Sequence, residues 1–481
     1  MMVNGTPQHT RRPRPYGLRV LPRLAKNPPE FFLETLHERG DLVELNLGPA
    51  RLLLVHHPDH VRHVLQENWR TYGKGSMWVA IRKLVGNGLL GSEGQHWLQQ
   101  RRLMQPAFHR QKLAALASTM TTTIAAMLDD WNSAARADKP VEVAQAMADL
   151  TMQIIVRTMF GASIDSAETR DLGQAFARAL RLMNVRMWTF FLPDSIPLPG
   201  DRAFREAINH IDSAVYRFIT QRRQNPTTEN DLLNLLLEAR DEETGAHMTD
   251  QQVRDEVFTI FLAGHETTAT VMSWVWYVLD QYPDVQRRLH AELDSVLVGR
   301  LPTLESLSRL NYTRMLIEET MRFYPPSWMI PRSVEADDTI GALPVKKGTT
   351  VLISPYVVHR HPDFWENPAT FDPERFAAGQ NVPRHAYIPF GEGPRLCIGN
   401  NFAMMEMQLI LAMVAQAFRL SLQPGINIRP TTMPVLRPNQ PLHMNLQVRT
   451  RPVSNATWLM ATETGEYQLV PEHERIDTDR D

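Results

Sequence analysis

The sequence contains a single cysteine, Cys397, among its 481 residues. One cysteine cannot form an internal disulfide, so a disulfide-stabilised fold is excluded. It also excludes an iron–sulfur cluster held by this chain, because such clusters normally take four cysteine ligands. Any chemistry of Cys397 is therefore that of an isolated thiol.

Long hydrophobic runs are also missing. The densest, residues 271–279, is interrupted by Ser273 and falls well short of the ~20 apolar residues that span a bilayer. The first residues are basic and proline-rich, and no apolar segment follows Arg11 and Arg12, so they do not resemble a signal peptide. The sequence predicts a soluble, cytoplasmic protein without a transmembrane anchor.

The chain has little net charge, and neither a linker nor a repeat divides it. A net charge of −2 argues against a nucleic-acid partner, which favours a basic excess. Apolar residues make up 43% of the chain, and no low-complexity linker or repeat divides it. We therefore predict one domain over 28–450, flanked by polar segments at 1–27 and 451–481, for which no fold is predicted. A domain of that size can enclose a small molecule.

The hydrophobic pattern predicts a mainly α protein with a small antiparallel β part. Thr249 and Gln252 have capping-box spacing and begin a helix that should run to Pro283, a length of ~48 Å. Its middle is apolar nearly all round, which is typical of a buried central helix. Residues 66–90 are glycine-rich and predict a loop, and the prolines of 191–200 predict a connection.

Cys397 lies in a glycine-rich loop, residues 390–399, with the sequence FGEGPRLCIG. Glycines allow a flat group to approach the backbone closely. A helix is predicted to start just after Cys397, and its N-terminal dipole should favour a thiolate. Arg395 could pair with a carboxylate. From these residues alone, a small buried hydrophobe and a nucleophilic cysteine also remain possible roles.

A polar cluster, Ala263–Thr268 (AGHETT), interrupts the apolar long helix. A carboxylate such as that of Glu266 is costly to bury unless it is hydrogen-bonded or neutralised. Gly264 costs ~1 kcal/mol in a helix interior, which is tolerable where a ligand must approach. The alternative is that the hydroxyls of Thr267 and Thr268 only bond to the preceding helical turn.

A zinc site is a further reading of this cluster. His265 and Glu266 resemble the start of the H-E-x-x-H motif, in which a second histidine completes the metal site. Position 269 is alanine, so the motif fails.

The cysteine loop resembles the haem-binding signature of the cytochrome P450 family, F-x-x-G-x-R-x-C-x-G. All five fixed positions match: Phe390, Gly393, Arg395, Cys397 and Gly399. The resemblance implies the cytochrome P450 fold, a large helical domain around haem b (iron protoporphyrin IX) with Cys397 as the iron ligand. A thiolate ligand pushes electron density onto the iron and favours O–O cleavage.

The polar cluster is similar to the oxygen-activation motif of the same family. The resemblance implies that Thr267 hydrogen-bonds and protonates bound dioxygen, that Glu266 relays protons through water, and that Ala263 and Gly264 leave room above the haem. Family members that use peroxide tend to lack the acid–alcohol pair. The pair therefore favours an O2-dependent monooxygenase.

Three further motifs follow the family's order. Trp97 and Arg101 match W-x-x-x-R, which implies that both reach one haem propionate. Arg332 matches the other propionate position. The resemblance thus gives the haem a larger set of neighbours: Trp97, Arg101, Ala263, Arg332, Phe390, Gly391, Arg395, Cys397 and Gly399.

Glu319 and Arg322 resemble the E-x-x-R element, and Arg375 lies in the matching P-E-R-F segment. The resemblance implies that the three form a buried charge cluster. We assign them a structural role rather than a catalytic one.

By order in the chain, the predicted pocket walls are apolar and rich in methionine, which favours a lipid-like or terpenoid-like substrate. These residues are Met77, Trp78, Leu182, Met187, Trp188, Phe261, Leu262, Trp328, Met329 and Met433. Arg82, Arg181 or Arg186 could anchor a carboxylate, so a fatty acid and a neutral terpenoid both stay open.

The electrons must come from another protein, because neither a flavin domain nor a cluster site is present in this sequence. The resemblance implies a ferredoxin or flavodoxin with an NAD(P)H-dependent reductase, and Arg102, Arg110 and Lys112 are candidates for docking it. The predicted activity is hydroxylation or epoxidation of an apolar substrate with O2. The alternatives are a haem-thiolate peroxygenase or isomerase that does not use O2, and a non-catalytic haem-thiolate sensor.

Overall fold

The computed structural model describes residues 15–48, 50–75, 78–161, 164–188, 198–227, 230–241, 243–432, 435–449, 457–461 and 467–471. The helices are α1 (Leu21–Lys26), α2 (Pro28–Arg39), α3 (Pro58–Arg62), α4 (Val79–Val85), α5 (Gly94–Met104), α6 (Arg110–Ala114), α7 (Ala117–Arg136), α8 (Val143–Phe160), α9 (Ser166–Trp188), α10 (Asp201–Gln224), α11 (Leu232–Glu238), α12 (Asp250–Gln281), α13 (Pro283–Leu297), α14 (Leu304–Leu307), α15 (Asn311–Phe323), α16 (Pro355–Val358) and α17 (Asn400–Ala417). The strands are β1 (Leu42–Leu47), β2 (Ala50–Val55), β3 (Tyr72–Gly73), β4 (Val141–Glu142), β5 (Ile330–Val334), β6 (Asp338–Ile340), β7 (Leu343–Val345), β8 (Thr350–Ile353), β9 (Phe418–Leu422), β10 (Pro430–Thr432), β11 (Leu436–Pro438), β12 (His443–Val448), β13 (Thr457–Ala461) and β14 (Tyr467–Pro471). The predicted mainly α class with a small β part is confirmed.

The described residues divide into two compact units. The smaller takes those of Met1–Gly75, Trp328–Pro368 and Pro383–Arg395. The larger takes those of Ser76–Ser327, Ala369–Val382 and Leu396–Asp481. The single domain over 28–450 stays a prediction.

The smaller unit is built on a five-stranded sheet in the order β1-β2-β8-β5-β3. Strands β2 and β8 run parallel, and the other pairs are antiparallel. In this sheet Arg332 of β5 lies opposite Val351 of β8. Trp328 packs against Phe32 of α2 at a ring-centroid distance of 5.9 Å, which joins the sheet to the helix. The sheet thus fixes Arg332 through its two neighbouring strands.

Helix α12 is the central element of the larger unit. Thr249 and Gln252 form both bonds of the predicted capping box, at 3.2 and 2.9 Å. The helix ends at Gln281, just before Pro283 starts α13, so the predicted bounds are confirmed. Near its C-terminal end, the Trp274 indole N–H donates to the Leu436 carbonyl at 2.7 Å and so fastens β11 to the helix.

Gly264 serves the packing of α12 against α8. A Cβ built at Gly264 would lie 3.1 Å from Cδ1 of Ile155, tighter than ordinary van der Waals contact. One turn of α8 earlier, the Thr151 hydroxyl donates to the His265 carbonyl at 3.1 Å. The expectation that Gly264 leaves room for a ligand therefore needs correction, since the missing side chain faces the neighbouring helix.

Two segments differ from the predicted pattern. Residues 79–85 form helix α4 inside the predicted 66–90 loop, because their alternation of small, apolar and basic residues supports a short helix despite the glycines around it. In the C-terminal segment, β13 and β14 pair antiparallel where no fold is predicted. Most of the predicted 191–200 connection lies outside the described residues.

No helix among the described residues is long and apolar enough to cross a bilayer.

Candidate active site

The middle of α12 has one accessible face in an otherwise buried helix. Residues 253–261 and 268–276 are buried, whereas four side chains between them reach solvent: Leu262, Ala263, Glu266 and Thr267. Positions three and four apart lie on one face of a helix, and the pairs 262/266, 263/266 and 263/267 have this spacing. The face therefore borders open space over just over one turn, at the polar cluster that the sequence singles out.

The Thr267 hydroxyl donates to the Ala263 carbonyl at 2.6 Å. This is the bond to the preceding turn that the sequence leaves as an alternative. It commits the proton of the hydroxyl but leaves oxygen lone pairs free to accept a hydrogen bond. The hydroxyl oxygen can therefore accept a further hydrogen bond, and the proton transfer that the resemblance implies for Thr267 stays a prediction.

Glu266 has no hydrogen bond or ion pair within the described part of the chain. Burial raises its pKa to about 7, and the positive charge of Arg437 opposes that shift. An acid with such a pKa both takes up and releases a proton at neutral pH. Arg437 follows Leu436, the residue whose carbonyl is bound by Trp274 of α12.

Cys397 is accessible on its open side and precedes α17, whose N-cap is Gly399. Burial nevertheless raises the pKa of the thiol, while the Gly399 backbone N–H and the charge of Arg101 act in the opposite direction. The expected stabilisation of a thiolate by the helix start is therefore outweighed by burial. A metal cation bound to the sulfur would reverse this balance, because coordination deprotonates a thiol.

Helix α5 brings Arg101 to the cysteine loop. Its guanidinium donates to the Leu396 carbonyl at 2.8 Å. Burial lowers the pKa of Arg101, and the interaction with Cys397 opposes this shift. Trp97, one turn earlier, is buried. An accessible thiol, an adjacent fixed cation and the open face of α12 in the same unit fit a haem held by a thiolate.

In the smaller unit, two arginines that are predicted to neighbour the haem already have protein partners. Arg332 donates to the Pro331 carbonyl at 2.9 Å and is buried. Arg395 donates to the Tyr72 carbonyl at 2.5 Å and lies over the Trp69 ring at 5.4 Å. These bonds orient both guanidinium groups.

The glycines of the cysteine loop serve different purposes. Gly393 has φ +70°, and a Cβ there would lie 2.1 Å from the Leu65 carbonyl oxygen, so only glycine fits this contact. Gly391 has φ +73° with open space around it, which leaves room for a group to approach. Phe390 beside it is half-buried. A Cβ at Gly399 would meet only Phe108, at 4.0 Å.

Glu319, Arg322 and Arg375 are brought together in the larger unit. Arg322 donates to both carboxylate oxygens of Glu319, at 2.6 and 2.7 Å, and both side chains are fully buried. Arg375 Nε lies 3.6 Å from the same carboxylate. The Asp372 N–H donates to it at 2.8 Å, and both arginines donate to the Thr370 carbonyl. The cluster thus ties α15 to residues 370–375.

The predicted pocket residues fall into different surroundings. Phe261 has no accessible surface and stacks on Phe176 at 4.3 Å, which argues against a wall role, whereas Leu262 beside it is half-buried. Leu182 is half-buried against Gly200, and Trp328 is buried. Trp78 and Met329 are half-buried. Met77 and Met433, and the side chains of Met187 and Trp188, lie outside the described residues.

Sequence reasoning missed two ionisable residues near α12. Glu406 is fully buried on α17, and burial raises its pKa to about 8 although the Thr268 hydroxyl bonds to it. Its signal was a single acid within an apolar helix. Arg437 carried no such signal, since it acts on Glu266 only through the fold.

The cytochrome P450 family model matches residues 12–446. A cyclooctat-9-en-7-ol 5-monooxygenase of Streptomyces melanosporofaciens is 37% identical over 404 residues, covering 83% of this chain and 87% of the relative. A pentalenene oxygenase of Streptomyces avermitilis is 32% identical, covering 88% and 93%. The crystal structure of the cytochrome P450DA heme domain has a TM-score of 0.81 and 28% identity, covering 92% and 96%.

Proposed function

This chain belongs to the cytochrome P450 family and is a cytochrome P450 monooxygenase, and we propose that its substrate is a cyclic terpenoid hydrocarbon or alcohol. The observation that carries this proposal is the 37% identical relative, which is named for oxidation of cyclooctat-9-en-7-ol. A second relative is named for pentalenene. Both names denote alkenes, the second without any polar group, and such a substrate suits the apolar residues that border α12.

The cofactor is a haem, and we propose that it is haem b with Cys397 as the iron ligand. When bound, the haem activates O2 for insertion of one oxygen atom into a C–H or C=C bond. Trp97 and Arg101 on α5 are proposed to hold it through a propionate. The haem-binding roles of Ala263 and Gly399, and of Arg332, Phe390, Gly391 and Arg395, stay predictions.

The residues of α12 are proposed to handle protons. Glu266 exchanges a proton with solvent, because its pKa of about 7 lies near the working pH. Thr267 accepts a hydrogen bond through its free lone pairs, because its own proton is bound by Ala263. This pair supports an enzyme that uses O2 over one that uses peroxide or rearranges its substrate without O2. It equally disfavours a non-catalytic sensor.

A redox partner must supply two electrons, and we propose a ferredoxin or flavodoxin with an NAD(P)H-dependent reductase. One predicted docking cation is locally neutralised, because Arg102 pairs with Asp241 at 3.0 Å and Glu243 at 2.6 Å. The side chain of Arg110 lies outside the described residues. Lys112 remains a candidate.

A fatty acid is the less favoured substrate. Arg82, one predicted anchor for its carboxylate, donates to the Gly91 carbonyl at 2.7 Å and pairs with Glu93 at 3.0 Å. Its charge is therefore already partnered. Arg181 is exposed on α9, and the side chain of Arg186 lies outside the described residues.

A paired titration tests the substrate class. Purified protein is titrated with cyclic terpene alkenes and alkenols, and in parallel with fatty acids of similar carbon number, while the Soret band is followed. Loss of the water ligand on substrate binding shifts the iron spin state. We expect the shift with terpenoids at lower concentration than with fatty acids.

The hit is then turned over with a surrogate ferredoxin and reductase under ¹⁸O2. One labelled oxygen per product supports the proposal. A spin shift confined to fatty acids would overturn the substrate class, and turnover supported fully by peroxide without added reductase would overturn the O2 chemistry.

A further inference from the structure

Two adjacent carboxylates of α12 accept hydrogen bonds from a glycine-rich loop that lies far from them in sequence. The loop, residues Gly86–Gly91, joins α4 to α5 and is called the clasp here. The Asn87 N–H donates to Asp255 Oδ2 at 2.8 Å. The Leu89 N–H donates to both oxygens of Glu256, at 2.9 and 3.0 Å. Two backbone donors of the clasp thus depend on side chains of the central helix.

The clasp presses against α12 without space for side chains. A Cβ at Gly86 would lie 2.3 Å from the Asp255 carboxylate, and one at Gly88 would lie 2.5 Å from Thr259 Oγ1 and 2.6 Å from the Asp255 carbonyl oxygen. Real Cβ atoms essentially never show such distances. The glycines in the sequence GNGLLG therefore allow this loop to lie close against one turn of α12.

Two carbonyl groups of the clasp contact side chains of its two flanking helices. Arg82 of α4 donates to the Gly91 carbonyl at 2.7 Å. His96 of α5 lies 3.1 Å from the Asn87 carbonyl through its Nε2. Within the clasp, the Gly91 N–H donates to the Gly88 carbonyl at 2.9 Å. Its position is fixed from three helices at once.

Arg254 links the Asp255 carboxylate to α10. It pairs with Asp255 at 3.0 Å and with Asp212 of α10 at 2.6 Å, and it donates to the Leu84 carbonyl of α4 at 3.3 Å. Its guanidinium also lies 3.7 Å from the Phe258 ring centroid. The carboxylate that holds Asn87 is thus itself held in place.

The clasp connects elements that carry the candidate site. Helix α5 presents Trp97 and Arg101, α4 follows the predicted wall residue Trp78, and α12 presents Glu266 ten residues after Glu256. We propose that Asp255 and Glu256 are positioning residues that fix the α4–clasp wall and thereby set which substrates the site accepts. The effect on substrate choice rests on the proposed monooxygenase function, whereas the hydrogen bonds between these carboxylates and the clasp do not.

Three variants separate the hydrogen bond from charge and bulk. Glu256→Leu removes both acceptors, while Glu256→Gln keeps one carbonyl oxygen and should act as a rescue. Asp250→Asn on the same helix is the matched control, because Asp250 pairs with the exposed Arg223. Amide exchange of residues 79–92 is measured on the haem-loaded protein. We expect it to accelerate by about tenfold or more in Glu256→Leu and to change little in the other two.

The functional readout is a size series of azoles, from imidazole to bulky aryl imidazoles, which bind any haem iron and need no native substrate. In Glu256→Leu the ratio of the affinities for the largest and the smallest azole should shift by about fivefold or more toward the largest, because α4 and the clasp are held less firmly. Gly88→Ala, which pushes the clasp off Thr259 from the loop side, should shift the series the same way. This second variant carries the test if Glu256→Leu does not fold.

Unchanged exchange and an unchanged azole series in a folded, haem-loaded Glu256→Leu or Gly88→Ala protein would overturn the inference. Faster exchange with an unchanged series would also overturn it, because the clasp would then be structural only. If the azole series shifts but no terpenoid is oxidised, the proposed substrate is wrong and the role of the clasp is supported. If both variants oxidise terpenoids with the same product distribution as the wild type, only the role proposed for the clasp is wrong.

Discussion

Two acids on helices that pack together, Glu266 on α12 and Glu319 on α15, are held in opposite ways. Glu319 is fully buried, and its oxygens accept bonds from Arg322 and from the Asp372 N–H. Glu266 is half-buried and has no hydrogen bond or ion pair among the described residues, and burial raises its pKa to about 7. A carboxylate saturated with partners holds structure together, whereas one that lacks partners beside open space can move protons.

The saturated acid should carry the larger stability effect. Glu319→Ala leaves the Arg322 guanidinium buried without its counter-ion, so we expect the free energy of unfolding to fall by ~3–5 kcal/mol, with loss of haem. Denaturant unfolding and haem content measure this.

Arg314→Ala is the control for that change, because it breaks a more exposed ion pair with Glu318 on the same helix. Its expected cost is under ~1 kcal/mol. If the two variants lose equal stability, the contrast between a locked cluster and an ordinary surface pair fails.

Glu406 adds a third acid to the comparison, one that is fully buried with a pKa raised to about 8. The folded protein keeps its proton between pH ~4.5 and 8, whereas the unfolded chain releases it, so the wild type loses unfolding free energy as pH rises, by up to ~1.4 kcal/mol per unit. Glu406→Gln should remove this slope. Urea midpoints from pH 5 to 8 measure it.

The exposed Glu335→Gln variant serves as the reference, since it should leave the slope as in the wild type. An equal slope in Glu406→Gln and wild type would show that Glu406 is ionised in the folded protein.

Thr267→Ala tests the open side of the comparison. Without the hydroxyl that α12 orients, the fraction of electrons that reach product should fall by about tenfold or more, while unfolding free energy changes by under ~1 kcal/mol. Product formed per NAD(P)H consumed measures this. Thr267→Ser keeps the hydroxyl and should recover most of the coupling, and full coupling in Thr267→Ala would remove the role proposed for this residue.

The smallest expected effect concerns Arg437. Its cation favours the Glu266 carboxylate, so Arg437→Gln should raise the pKa of Glu266 further and move the pH midpoint of coupling upward, by about half a unit. Coupling measured from pH 6 to 8.5 gives the midpoint. Arg429→Gln, an exposed arginine nearby in sequence, should leave it in place, and a downward shift for Arg437→Gln would contradict the assigned sign.

Local patterns predicted the elements that depend on local physics. The capping box at Thr249 and the apolar run after it were sufficient for α12, because both signals lie within one helix. The spacing of Glu319 and Arg322 places them on one face of α15, but only the resemblance linked them to Arg375, more than fifty residues away. The family was recognisable from the cysteine loop for the same reason, since its signature is contiguous.

What the sequence could not supply depends on packing. Gly264 could not be assigned to the α8 contact, because Ile155 is far away in the chain. The direction of the Cys397 pKa was missed because burial outweighs the helix start, and burial has no local signal. Arg437 and the clasp carboxylates were missed on the same ground, since their partners lie more than 150 residues away.

The ligation of the iron is tested most directly by Cys397→Ser, because this chain has no other cysteine that could replace the ligand. The variant is loaded with haem, reduced and exposed to CO, and the Soret band is compared with that of the wild type. We predict that the wild type shows the red-shifted band of a thiolate-bound iron and that the variant, with haem still bound, lacks it. A variant that keeps the red-shifted band would contradict the assignment of Cys397 as the iron ligand.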